Sequence, residues 1–412
     1  MRDSAETRRA FLEKGVGLVG ASTLIGATAV ESARGFAAND TIEIGCIGTG
    51  GRCQHLMKSL AQIPGVRIAA VCDVFEPNRE NSRKLADKDA AVFKNYHELL
   101  ARKDLDAVLI GAPDHWHVPM TVDACAAGKD VYVEKPLTHD LSEGARVIKA
   151  QNDHKRIVQV GMQQRSMPHI QKAKELIDAG RIGRVLKAHL TWNRNQTDRM
   201  ARGGAGTLDP RLLDWKAFLG SARDQPFDEY RFRNWRWFWD FGGGLLTDLM
   251  VHWIDVVHWV LNLDHPSRAT TIGNHFAAKD VWETPDTIQC LLQYPGEIQV
   301  YYEGTFSNAR HGAMCEFMGT EGTLNLDRGG YQIFPERGKG KFEELILGSD
   351  PARGRDFYDK PDGERLHLTN WVESIRSRQK PNAPAEAGVG AASAAHLGNL
   401  AYRKAQVADW KD

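Results

Sequence analysis

An α/β fold class, with a doubly wound parallel sheet in the N-terminal half, is predicted by three observations. Short runs rich in β-branched residues alternate with helix-like stretches between residues 41 and 165. Glycines cluster where the first such run ends, at Gly48-Thr49-Gly50-Gly51. Polar or glycine-bearing loops follow the later runs, at the strand ends where a parallel sheet binds its ligands.

Thr41 to Ile47 is the first strand, and a helix-like stretch follows the glycine turn as far as Gln62. In the dinucleotide-binding (Rossmann) pattern, the first glycine permits the turn and the second lets the backbone approach a pyrophosphate. The helix N-terminus then faces the anion. Gly48, Gly50, Gly51 and Arg52 are the expected contacts, and Cys53 departs from the small residue usual at the third position. Val66 to Cys72 is the second strand. It ends in Asp73, 23 residues after Gly50, where an acid accepts the ribose hydroxyls of NAD. Asp73 also reads as a helix-capping acid before Pro77. No arginine or serine follows at once to hold a 2′-phosphate, so NAD is expected over NADP, with Arg79 the reservation.

Tyr96 to Ala101 reads as a helix and Asp106 to Gly111 as a third strand, followed by a loop over 112–117 and a helix from Val118 to Ala127. Pro113, His115, Trp116 and His117 in that loop are candidate cofactor or substrate contacts, although packing would also explain them and an HxH pair can bind metal. Asp130 to Val133 is a fourth strand ending in Glu134-Lys135-Pro136. Leu141 to Asn152 is helical, and Ile157 to Gly161 is a fifth strand leading to Gln163 and Arg165.

The second half holds Gly242-Gly243-Gly244, then Asp248 and His252. Four residues apart, the acid and the histidine share one helix face. An imidazole beside a carboxylate suits proton transfer near neutral pH, although alone it is as well explained as a core histidine. The glycines admit another backbone, a cofactor or a substrate. Residues 185–193, 287–294 and 297–305 alternate as half-solvated strands, with shorter strands at 314–318 and 322–326. Residues 328–362 read as a surface loop, 366–379 as an amphipathic helix and 391–407 as a last helix. Tryptophans 215, 235, 237, 239, 253 and 259 gather around the glycine run, one or two of them expected in a pocket. Asn193, Arg165 and Arg236 are candidate substrate contacts.

The chain has 53 basic and 53 acidic side chains, which argues against a nucleic-acid partner. Its six cysteines show no CxxC spacing. They are expected as buried free thiols, with no metal site. Thr7-Arg8-Arg9-Ala10-Phe11-Leu12, a weakly apolar stretch to Val30 and the small residues at 32–38 resemble a twin-arginine export signal. Cleavage near Ala38 would leave a periplasmic protein with no membrane attachment.

At Glu134-Lys135-Pro136 the chain resembles the glucose–fructose oxidoreductase / inositol dehydrogenase / MocA (Gfo/Idh/MocA) family. The resemblance extends through the GTGGR turn, the Pro-Asp-His-Trp-His loop, Gly161-Met-Gln163-Gln-Arg165-Ser, Trp235-Arg236-Trp-Phe-Trp and the Gly242–His252 motif, over nearly all of residues 41–412. It implies a nicotinamide-binding Rossmann domain followed by an α+β domain on an open, mostly antiparallel sheet that commonly forms a homodimer or homotetramer interface. It further implies a catalytic set of Lys135, Asp248 and His252, and cofactor contacts that include Glu134, Lys135 and Gln163. The expected division is 1–38 signal, 39–165 NAD-binding domain, 166–385 substrate and oligomerisation domain, and 386–412 a C-terminal helix packing back on the body. The expected function is NAD-dependent oxidation of a sugar, polyol or sugar derivative. The alternatives are a redox-neutral glycosidase, and a binding protein that keeps NAD as a structural element.

Overall fold

The computed structural model describes residues 41–196, 208–347 and 362–411. The expected export signal lies outside them. The first sheet contains β1 (Ile42–Ile47), β2 (Val66–Cys72), β3 (Ala91–Phe93), β4 (Ala107–Ile110), β5 (Asp130–Val133) and β6 (Val158–Val160), all parallel, in the order β3-β2-β1-β4-β5-β6. Its central strands are buried along their whole length because helices cover both faces. β3 is a short, half-exposed edge strand without alternation, so no periodic signal marks it. Helix α1 (Gly51–Leu60) follows the glycine turn, and α2 (Asp114–Ala126) begins four residues before its expected start. The expected loop 112–117 is thus in large part the first turn of α2.

The second sheet has nine strands: β7 (Val185–Asn193), β8 (Arg268–Asn274), β9 (Thr287–Tyr294), β10 (Ile298–Thr305), β11 (Ala313–Gly319), β12 (Gly322–Asp327), β13 (Gly330–Pro335), β14 (Glu343–Ile346) and β15 (Ala408–Asp409). Their order is β14-β13-β12-β11-β7-β10-β9-β8-β15, antiparallel except where β7 meets β10. Two expectations are corrected here. Residues 330–335 and 343–346 form a hairpin extending the sheet, not a surface loop; the charged, glycine-rich composition around them conceals β13, which buries Tyr331 and Ile333, and the exposed edge strand β14. Helix α4 (Gly363–Ser377) falls inside the expected second domain but belongs physically to the first. α4 comes after α3 (Val251–Leu261), the helix that carries His252, and it buries Leu368, Trp371 and Val372 against Ile44, Leu109 and Tyr132 of the parallel sheet. The chain returns there because α1 alone does not cover that face.

Helix α5 (Ala385–Lys404) packs on α3 and on β8. All six cysteines are buried and unpaired. Among the described residues no helix is long and apolar enough to cross a membrane.

Candidate active site

A cleft of about 820 Å³ runs along the carboxyl ends of β1, β2 and β4, lined by Gly48, Gly50, Gly51, Asp73, Pro113 and Trp116 among others. Gly48 holds φ +70°, and a Cβ there would stand 2.5 Å from the Ala112 amide nitrogen. The turn therefore closes directly onto the neighbouring strand end. A Cβ on Gly51 would meet nothing within 4 Å, so the floor of the cleft is open to a ligand. Gly50, the N-cap of α1, supplies no side-chain cap and the first turn has no acid, so its backbone N–H groups suit an anion. The Cys53 departure has a local explanation. A Cβ on Gly111 would lie 2.7 Å from that of Cys53, so the space usually made by a third glycine on the helix is made by Gly111 across from it.

Asp73 accepts from the Phe75 amide at 2.8 Å and from Asn78 Nδ2 at 3.1 Å. Burial pushes its carboxyl up to about 6 against these contacts. Arg79 donates to the Asp73 carbonyl at 2.7 Å and approaches Glu76, so it is committed to the turn. An open glycine floor, an uncapped helix start and an acid at the second strand end fit a dinucleotide.

The cleft continues past Arg52, Gly111 and Arg236 into a deeper cavity of about 200 Å³. Lys135 enters it from the end of β5, donating from Nζ to the Asp248 carbonyl at 2.6 Å and to Asp248 Oδ1 at 2.8 Å. Arg236 Nε donates to the same Oδ1 at 3.3 Å and belongs to both the cleft and the cavity. Asp248 sits in a π-helical turn, Leu246–Met250, that runs directly into α3. Burial alone would raise its pKa. Lys135 and Arg236 outweigh burial and hold the carboxyl well below the usual range. Asp248 therefore anchors two cations, and among the described residues it makes no hydrogen bond to His252. His252 stacks on Trp192 with ring centroids 5.0 Å apart, and its buried Nδ1 has no hydrogen-bond partner among the described residues. Burial, then Lys135, Arg328, Arg52 and Arg194, keep it neutral well below its ordinary pKa.

The glycine run serves the protein, not a ligand. A Cβ on Gly243 would lie 2.6 Å from Thr247 and 2.8 Å from Asn399, so the run lets the π turn seat against α5.

Supporting contacts complete the cavity. Glu134 takes Arg52 Nε at 2.9 Å and Gln163 Nε2 at 3.3 Å, while Arg52 also pairs with Glu364 of α4. His117 braces the strand end, with its ring nitrogens 2.6 Å from the Pro136 carbonyl and 2.8 Å from that of Ala112. Asp114 also lines the cavity, and burial pushes its carboxyl well above the usual range.

Three expected contacts lie elsewhere. His115 lines neither space; it is buried among Phe218, Phe241 and His139, with Nε2 3.0 Å from the Phe218 carbonyl and burial lowering its pKa to about 4. Arg165 turns away from the cavity into a buried bidentate pair with Asp255, with contacts of 2.7–3.0 Å. Asn193 bonds the Arg310 carbonyl at 2.7 Å, because strand alternation sends Trp192 into the cavity and its neighbour to the opposite face. Of the six tryptophans around the glycine run, Trp235 lines the cavity.

The cavity residues that were not foreseen include Trp192, Arg194 and Arg328. The signal was period two. Leu190, Trp192 and Arg194 continue the inward face of β7, and Leu324, Leu326 and Arg328 that of β12.

Known proteins resemble this chain in sequence and in fold. Residues 42–162 match "Oxidoreductase family, NAD-binding Rossmann fold", and residues 170–325 match "GFO/IDH/MocA C-terminal domain". The inositol 2-dehydrogenase/D-chiro-inositol 3-dehydrogenase of Shouchella clausii is 28% identical over 293 residues, 69% of this chain and 72% of that protein. The inositol 2-dehydrogenase of Gluconacetobacter diazotrophicus is 29% identical over 293 residues, 69% of this chain and 74% of its own. Among solved structures, a levoglucosan dehydrogenase in complex with NADH and levoglucosan superposes with a TM-score of 0.70 at 18% identity, over 90% of this chain and 100% of that one. With both halves matching one family, the chain belongs to the Gfo/Idh/MocA family of NAD-dependent oxidoreductases.

Proposed function

We propose that this NAD-dependent oxidoreductase oxidises a secondary alcohol of a sugar, polyol or sugar derivative, with His252 taking the hydroxyl proton. The observation that carries the reading is a neutral imidazole with an Nδ1 unpartnered among the described residues, in a cavity that also holds the Lys135–Asp248 pair and opens into the dinucleotide cleft. The inositol dehydrogenases among its relatives support a polyhydroxylated substrate.

Bound NAD supplies the hydride acceptor. The chain's own groups do the rest. His252 is held neutral, the form that accepts a proton. Lys135 spends two of its three N–H groups on Asp248, which leaves one for the substrate oxygen as negative charge develops there. Asp248 stays ionised and fixes both Lys135 and Arg236.

We further infer export by the twin-arginine route as a folded protein carrying its cofactor; the support is Arg8-Arg9 and the weakly apolar stretch that follows. Free NAD is scarce outside the cytoplasmic membrane, so the redox cycle closes on one retained molecule. Redox-neutral cleavage of a glycosidic bond is the second reading, and Asp114 favours it: a leaving oxygen needs a proton, and burial raises the proton affinity of this carboxyl well above the usual range. A second copy of the chain covering the outer face of the nine-stranded sheet is supported by Ile272 and Leu291, 66% and 46% exposed on adjacent strands.

The test is to incubate purified protein with polyols, sugars and glycosides, without added NAD. Reduced nicotinamide in step with bound cofactor supports oxidation, and free sugar released without net reduction supports the second reading. Protein that neither carries nor binds NAD refutes both.

A further inference from the structure

Five basic side chains line the cavity. Arg52, Lys135, Arg194, Arg236 and Arg328 line it against Asp114, Glu134 and Asp248. Arg52 is committed to Glu134 and Glu364, and Lys135 and Arg236 to Asp248. Arg194 makes no ion pair among the described residues. Its guanidinium lies 5.5 Å from the centroid of Trp192, and that of Arg328 lies 4.5 Å from the same ring. That ring also carries His252, at 5.0 Å. Two guanidinium groups are therefore gathered around the ring on which the proposed base stacks.

The cofactor does not account for Arg194. A dinucleotide's diphosphate belongs at the glycine turn and the start of α1, in the large cleft. Arg194 and Arg328 line the small cavity and not that cleft. The ligand that meets Arg194 is the one held against His252.

We propose that the substrate is a sugar acid, whose carboxylate is bound by Arg194 while one of its hydroxyls faces His252 and Lys135. The planar, many-donor guanidinium suits a carboxylate better than it suits a neutral hydroxyl. Arginine pairs with phosphate by the same chemistry, but a cavity of about 200 Å³ that must also admit the ring favours the smaller anion. The electrostatics of the base agree. After burial, Lys135, Arg328, Arg52 and Arg194 are what depress the proton affinity of His252. A bound carboxylate offsets that field and strengthens His252 as a base only when the acid substrate is present.

This proposal rests on the reading of the cavity as the alcohol-oxidising site, and one set of measurements separates the two. Holoprotein is titrated with matched pairs, a hexuronate against its parent hexose and against the hexose 6-phosphate, following both thermal stabilisation and reduction of bound cofactor. The hexuronate is expected to stabilise the protein at concentrations where the hexose does not, with an effect that weakens as salt is added. Arg194→Gln is expected to weaken hexuronate affinity by at least about tenfold, as loss of a charged contact does, with a much smaller change for the neutral hexose. Arg194→Lys, which keeps the charge, recovers part of it and shows that the loss is not a folding defect. Equal affinity for hexose and hexuronate, or Arg194→Gln without effect on the acid, overturns the proposal. Tighter binding of the hexose phosphate overturns the choice of carboxylate. If hexoses reduce the cofactor and hexuronates do not, the acid site is refuted and the oxidoreductase reading stands. If hexuronates bind in an Arg194-dependent way and no carbohydrate reduces the cofactor, the acid site stands and the alcohol-oxidising reading is refuted.

Discussion

Replacing Lys135 with methionine keeps most of the side chain's bulk and removes its charge. The ammonium makes two contacts with Asp248, at 2.6 and 2.8 Å, and both side chains are largely buried, 11% and 18% exposed. Removing one partner of a buried pair costs about 3–5 kcal/mol when the remaining charge is stranded. Here Arg236, at 3.3 Å, retains part of the interaction, so the lower end of that range is expected. Turnover has a separate expectation: losing a donor aimed at developing negative charge costs about 10²–10³ in kcat. The pH profile carries the sign. Lys135 is the strongest of the neighbouring charges that depress His252's proton affinity, after burial itself. Without it that affinity rises. A base must be neutral to act, so the acid limb of kcat/KM moves to higher pH in Lys135→Met. Thermal unfolding followed by stopped-flow reduction of bound cofactor across pH measures all three. A folded variant with near-normal turnover, or an acid limb that stays put or moves to lower pH, refutes the reasoning.

Three further outcomes follow from the same geometry. Gly48→Ala forces a Cβ to 2.5 Å from the Ala112 nitrogen at a φ of +70°, so a loss of about 1–3 kcal/mol in stability and weakened NAD binding are expected by thermal melts and calorimetry. Apoprotein affinity for NAD is expected to be flat above about pH 6 and to fall below it, approaching tenfold per unit as Asp73 takes up the proton that ribose hydroxyl donors disfavour; calorimetric titration across pH checks this. Trp371→Ala, in the core shared by α4 and the parallel sheet, is expected to cost about 3–5 kcal/mol, and an unchanged melting temperature would show that α4 is not part of that core.

What the sequence revealed tracks how local each signal is. The glycine turn, the strand ends at Asp73 and Glu134 and the strands expected at 185–193, 287–294 and 297–305 are written within short windows and are found there, the last starting at Ile298. The convergence of Lys135 on Asp248 spans 113 residues, and the family resemblance, not spacing, brought them together. Side-chain direction was the weakest inference. Arg165 sits two residues from Gln163, and Asn193 between Trp192 and Arg194, but both point away from the cavity, into Asp255 and the Arg310 carbonyl. Period two would have favoured Trp192 and Arg194 over Asn193, and Arg328 over a loop reading of 328–362. The Cys53 departure was uninterpretable without its neighbour, because the compensating glycine, Gly111, lies just past the end of β4, far from it in sequence. The place of α4 was equally hidden, since an amphipathic helix does not name the sheet it will cover.

The most direct test of the central claim is a single-turnover comparison of the wild-type holoprotein with His252→Ala, mixed with a substrate found in the carbohydrate panel. Cofactor occupancy is measured in both by denaturation and mass. The account predicts equal occupancy and reduction of bound cofactor slowed by about 10²–10⁴ in the variant, with the loss greatest at low pH where no other base is free. Reduction at the wild-type rate with full occupancy would contradict it.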